Sequence, residues 1–201
     1  MKIMKYYNSG ICEIVLSGIW QVNKSDTVTP EMDACTNIMR TFTKGTIYCF
    51  EFFRESGFNI YNQAILLNYR KSIPEYFEEN GNFYIQYYKK LPPKRFDSRF
   101  RAAGQLVIND ETYEMISKFF NYYMDAVVFV PHKNLSWEMF VEDFKKHPME
   151  RAERYIRNGF TDLVFVHTDD SDFIVCFDMK KYDEKTVLRK IGRYISPFIG
   201  V

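Results

Sequence analysis

At 201 residues, 46% of them hydrophobic, the chain fits one large domain and can bury a sizeable core without disulfide or metal staples. Its 27 basic and 26 acidic residues leave a formal charge of +1, which excludes a global field drawing it to nucleic acid or an anionic membrane. Aromatic residues reach 18%, with 19 Phe and 15 Tyr; an AT-rich coding sequence would raise both, but rings that a core cannot absorb also suit a protein-contact surface.

The first residues, Met1 to Asn8, lack the apolar core of a signal peptide, and no apolar run approaches a membrane span, so a cytoplasmic protein without membrane contact is expected. Residues 11 to 22 are rich in β-branched side chains and read as a strand, with Gly18 as a bulge. Thr29-Pro30-Glu31 is a helix start, with a hydroxyl cap, a proline at the first helical position and an acid in the first turn. Met32, Cys35, Ile38, Met39 and Phe42 form the apolar stripe of that helix, which Gly45 ends. Thr46 to Arg54 reads as a strand, Glu55-Ser56-Gly57 as a turn, and residues 60 to 70 fit strand or helix equally. A short helix starts at Ser72-Ile73-Pro74-Glu75 and stops at Asn80-Gly81, followed by a strand from Phe83 to Lys89. Lys89 to Arg101, broken by Pro92-Pro93, reads as a loop and as a subdomain boundary near 90–101.

The second half predicts a short strand from Gln105 to Ile108 and a helix capped at Asn109, with Tyr113, Ile116, Phe119, Phe120 and Tyr123 in its stripe. A buried strand over Ala126 to Val130 comes next. Ser136 caps a helix that turns Met139, Phe140 and Phe144 inward; Pro148 breaks it, and a helix resumes from Met149 to Asn158 before Gly159. Asp162 to His167 and Asp172 to Asp178 form a hairpin around Thr168-Asp169-Asp170-Ser171. A last helix runs from Asp183 to Ile195 with Val187, Leu188, Ile191 and Ile195 inward. This order predicts a single α+β domain with a mixed or mostly antiparallel sheet, helices packed on it, and a C-terminal β-hairpin followed by a helix.

Chemistry-bearing motifs are scarce. His132, His147 and His167 fall on different elements without metal-ligand spacing; His167 could meet Cys176 only across the hairpin. Cys12, Cys35, Cys49 and Cys176 each sit in an apolar run, as buried reduced thiols do. There is no GxSxG, GxGxxG or GxxxxGK[ST], and no cofactor or metal is implied. Glu51, inside Phe50-Glu51-Phe52-Phe53, reads as an edge-strand charge or a perturbed carboxylate.

Two stretches suggest binding. Asp169, Asp170 and Asp172 are good turn residues, and with Asp162 and Asp178 they make an acidic hairpin end that could dock a basic partner. Lys89 to Arg101 carries six basic residues and two Phe behind Tyr84, Tyr87 and Tyr88, a mixture that suits phosphates and stacked bases as well as a solvated loop. The reading is a non-enzymatic cytoplasmic protein-binding inhibitor of bacterial type, most concretely an immunity protein that occludes a cognate, basic nuclease-type toxin through Asp169, Asp170, Asp172 and Tyr182. The alternative is a nucleic-acid-binding accessory using Lys94, Arg95, Arg99, Arg101 and Tyr87. A homodimer is a further expectation, because exposed rings suit a self-interface equally. An enzyme stays open if Glu, Tyr, Arg and His converge in space.

Overall fold

In a computed structural model the chain is described over residues 1–19, 29–43, 47–54, 72–89, 99–109, 112–113, 125–147, 152–168 and 172–199, the side chains of 47, 48, 52–54, 87–89 and 99 excepted. Eight strands are described: β1 (Lys2–Asn8), β2 (Ile11–Ser17), β3 (Ile47–Arg54), β4 (Gly81–Lys89), β5 (Arg99–Val107), β6 (Asp125–Phe129), β7 (Leu163–His167) and β8 (Phe173–Asp178). They form one sheet in the order β1-β2-β8-β7-β6-β3-β5-β4, antiparallel at every pairing. The helices whose bounds are described are α1 (Pro30–Phe42), α2 (Ile73–Asn80), α3 (Trp137–Lys146), α4 (Glu153–Arg157) and α5 (Glu184–Ile195), with a 3-10 turn over Ser196–Phe198. The chain is therefore an α+β domain built on an antiparallel sheet.

Strand alternation sorts the core into two layers. On one face Cys12, Ile14, Leu16, Phe50, Phe100, Ala102, Leu106, Val128, Phe165, Val175 and Phe177 meet the inward stripes of α1, α2 and α5. On the other, Cys49, Ala103, Phe129, Val164 and Cys176 meet Phe140 and Phe144 of α3 and Tyr155 and Ile156 of α4. Four of these five helices, α1, α2, α3 and α5, begin at a side-chain cap. The side chains of Thr29, Ser136 and Asp183 each accept a backbone N–H of the first turn, and Ser72 with Glu75 makes a reciprocal capping box. Gly104 lets α2 approach the sheet, because a Cβ there would lie 2.3 Å from the Phe77 ring.

Several elements differ from expectation. β1 carried no strand signal, because an edge strand with both faces wet has no apolar alternation; its burial pattern is exposed at six of seven positions. It turns into β2 through Ser9 and Gly10, at φ 49° and 86°, a two-residue hairpin of the left-handed kind. Gly18 is a strand end and not a bulge: at φ 63° it turns the chain out of β2, whose pairing runs without a shift. α1 ends at Phe42 with Thr43 as its cap; Gly45, residues 55–71 and the helix stripe beyond Tyr113 lie outside the described residues. β5 begins at Arg99, six residues before the expected strand, and pairs with β4 from Gly81↔Leu106 to Lys89↔Arg99. The segment read as a boundary is thus spanned by a strand pair. Met139 is exposed, whereas Phe140 and Phe144 of the same helix are buried.

Candidate functional site

The densest chemistry lies under α3 and α4. Glu51 sits mid-way along β3, a central strand flanked by β5 and β6, so it is no edge charge. Its Oε1 accepts from Arg101 Nε at 2.9 Å and also from Arg101 Nη2. Its Oε2 accepts from Arg154 Nη2 at 3.2 Å and from the Tyr155 hydroxyl. Arg101 Nη1 donates to the Phe144 carbonyl at 3.1 Å, and its guanidinium lies 4.0 Å from the centre of the Phe144 ring. Arg154 Nη1 donates to the His147 carbonyl at 3.1 Å. Arg154 Nε lies 3.1 Å from Asp143 Oδ2, close enough for an ion pair but out of line for a hydrogen bond. Asp143 Oδ1 accepts from Asn158 Nδ2 at 3.0 Å and lies 3.7 Å from His147 Nε2 at the rim.

Glu, Tyr, Arg and His thus converge, but their arrangement is that of a clamp. Both Glu51 oxygens are occupied, Arg101 and Tyr155 are fully buried, and two carboxylates balance two guanidiniums. Burial, then the Glu51 charge, pushes the Tyr155 phenol well above its ordinary range and keeps it a donor. A substrate could reach Glu51 only by displacing partners already in place. The cluster joins β3, β5, the end of α3 and α4, and fixes the second helix layer to the sheet.

The residues expected to bind separate into distinct places. Asp169 and Asp170 lie outside the described residues. Asp172 precedes β8, and its Oδ1 accepts the Gly18 N–H at 3.0 Å, tying the hairpin turn to the end of β2. Tyr182 lies beyond the far end of β8, half-buried, with its ring packed edge-on against Phe42 and Phe177. Burial and then Asp162 raise its phenol. β8 separates Asp172 from Tyr182 by six strand residues, about 20 Å. Asp162 and Asp178 belong to the Tyr182 end, where the Asp178 N–H donates to the Asp162 carbonyl at 3.0 Å and His132 Nε2 lies 3.1 Å from Asp162 Oδ2. One acidic hairpin end combining all these residues does not form.

The basic segment also divides. Arg101 is withdrawn into the Glu51 clamp and is not available to a phosphate. Arg99 opens β5 and Tyr87 lies in β4, both without described side chains, while Lys94 and Arg95 fall outside the described residues. His167 and Cys176 project from opposite faces of the β7–β8 pair, in register with Phe173 and Val164 respectively, so they cannot share an ion. Among the described residues no group of His, Cys, Asp and Glu has metal-site geometry. All four thiols are buried; desolvation is the first cause in each, raising Cys12 to about 11 and Cys49 to about 12, and Cys35 and Cys176 well above the ordinary range.

No family model, curated protein or solved structure matches the chain.

The surface feature that stands out is the sheet edge at β1. Among the described residues no strand pairs with its outer side. Ile3 is 40%, Tyr6 52% and Tyr7 57% exposed. Pairing with β2 runs from Lys2↔Ser17 to Asn8↔Ile11 without a bulge, and the strand contains no proline. Its central lysine, Lys5, donates from Nζ to Glu184 Oε1 at 2.8 Å, and the Tyr7 hydroxyl donates to Glu184 Oε2 at 2.9 Å. These bonds hold Lys5 toward α5. Natural edges are guarded by free charges, prolines, bulges or covers; β1 is regular, aromatic, and has its middle charge engaged. Sequence reasoning missed the site because KIMKYYN looks like a polar terminus; the signal that could have found it is Ser9-Gly10, a turn dipeptide before a strong strand.

Proposed function

We propose that this chain is a protein-binding protein that acts by covering its partner, with the β1 edge as its principal contact. The observation that carries this reading is a regular edge strand, without proline or bulge, that presents Ile3, Tyr6 and Tyr7. An incoming strand would gain backbone hydrogen bonds from the edge and side-chain contacts from these rings on both sheet faces. Inhibition of a basic, nuclease-type toxin is the finer form of the proposal, and it enlists Asp169, Asp170 and Asp172 at the β7–β8 turn as the charge-complementary contact.

The test uses the full chain as bait beside Ile3→Pro. The alternation of the β1–β2 ladder points the Ile3 N–H outward, so proline there removes an edge donor and leaves the pairing with β2 in place. The expected result is a stoichiometric protein that survives nuclease treatment and high salt on the native chain and is lost from Ile3→Pro. Equal recovery on both baits removes β1 from the contact, and a nuclease-sensitive haul overturns the reading. Substituting Asp172 with Asn separates the finer proposal: a basic partner should dissociate faster in rising salt from the native chain and bind the variant more weakly.

A further inference from the structure

We infer that the strand which covers β1 is the β1 of a second copy of this chain, paired antiparallel about a twofold axis through Lys5. This rests on the edge reading and names a second copy, in place of a foreign strand, as the partner at that edge.

The backbone sets the register. Asn8 and Ile11 close the two-residue turn, so Asn8, Tyr6, Met4 and Lys2 direct their N–H and C=O toward β2. Ile3, Lys5 and Tyr7 direct theirs outward. A twofold through Lys5 pairs Lys5 with Lys5 and Ile3 with Tyr7, and uses every outward group of β1 in about six backbone hydrogen bonds. An axis through Tyr6 would leave Ile3 outside the ladder, and one through Met4 would leave out Tyr7.

Side chains agree with that register. Ile3 meets Tyr7 of the second copy on the face that carries α5, and Met4 meets Tyr6 on the other. Aromatic and aliphatic partners lie opposite each other on both faces, a favourable cross-strand pairing. The conflict is at the axis, where two lysines come together, and like charges directly opposite are unfavourable. Glu184 resolves it. Each Lys5 arrives with its own Glu184 at 2.8 Å, so the axis collects two cations and two anions. The outward groups of β1 are self-complementary about Lys5, Ile3 opposite Tyr7, and the charge at the axis balances, so the geometry points to a second copy as the occupant. Seven paired residues make a small interface, so the dimer belongs to the micromolar range and not the nanomolar one.

Sedimentation equilibrium across a wide concentration range tests this. The expected result is a reversible dimer of twice the 24.1 kDa chain mass. Ile3→Pro should be monomeric with unchanged circular dichroism and melting. Glu184→Gln leaves the edge backbone intact but frees the lysines, and should weaken the dimer about two- to fivefold. Lys5→Cys should link to itself under mild oxidation, because partners across a hydrogen-bonded pair stand about 5.5 Å apart. Tyr7→Cys, placed off the axis, should not. The native thiols are buried and do not compete. A monomer at every concentration, a dimer indifferent to Ile3→Pro, or linking of Tyr7→Cys as fast as Lys5→Cys would overturn the inference. If the pure chain is monomeric while a cellular partner is lost from Ile3→Pro, the edge reading stands and the second copy falls. If neither dimer nor partner responds to Ile3→Pro, both fall.

Discussion

Glu51 shows how much a single side chain can decide. Burying one carboxylate is costly unless opposite charge and hydrogen bonds meet it, and here Arg101, Arg154 and Tyr155 all do. Glu51→Gln keeps the shape but removes the charge, leaving Arg101 buried beside a neutral amide. It should destabilise the fold by about 3–5 kcal/mol, read from urea unfolding. Replacing the pair together, Glu51→Leu with Arg101→Met, should cost much less than the two single changes combined, since no unpaired charge remains. Additive losses would mean that the clamp does not act as a unit. The cysteines make a second residue-scale case. Burial raises all four thiols, so the native protein at pH 8 should leave a disulfide reagent almost unreacted and the unfolded protein should titrate four. A fast native thiol would reopen nucleophilic chemistry.

Among the elements, α5 joins local coding to pH behaviour. Asp183 caps it by accepting the Thr186 N–H at 2.9 Å, and this backbone hydrogen bond, then a side-chain one to Thr186, holds its carboxyl below the usual range. Glu184 in the first turn is lowered chiefly by its hydrogen bond from Lys5, then by that from Tyr7. In both cases the unfolded state holds its proton more tightly than the folded one. Their contribution is therefore complete above the ordinary carboxylate range and is lost as pH falls through the depressed folded values. Asp183→Asn keeps a good cap without the charge, so its melting temperature should fall less steeply with acid than that of the native chain. Equal slopes would assign the acid sensitivity elsewhere. The caps at Thr29 and Ser136, and the helix starts at Ser72 and Asp183, were legible in the sequence because capping is a short-range matter of one oxygen and the next turn. So was the β7–β8 hairpin. The Glu51 clamp was not, since its partners stand 50 and 103 residues away and meet only through sheet order. The β1 edge was not either, because a strand wet on both faces leaves no periodic trace.

For the whole molecule the sheet order is the controlling fact. The N-terminal hairpin pairs with the C-terminal one, not with its nearest neighbour in sequence; β2 adds to β8, from Ile11↔Asp178 to Leu16↔Phe173. β3 likewise lies between β5 and β6, and β4 closes the far edge. Any division of the chain at the proline segment would cut the β4–β5 pair and the β3–β5 pair, and would divide a core to which β2, β5, α1 and α5 all contribute. Chains above about 150 residues often unfold in stages, so a single cooperative transition is a demanding expectation here. The shared core favours it: removing β2 strips Cys12, Ile14 and Leu16 from the layer that holds Val187 and Ile191, and losing α5 in turn uncovers Phe177. Far-ultraviolet circular dichroism, which tracks the helices, and near-ultraviolet circular dichroism, which tracks the abundant buried rings, should give superimposable denaturant curves with one midpoint. Two separated midpoints would mean that the strands on either side of the proline segment belong to units of independent stability, and that the edge strand β1 could open while the Glu51 clamp remains closed.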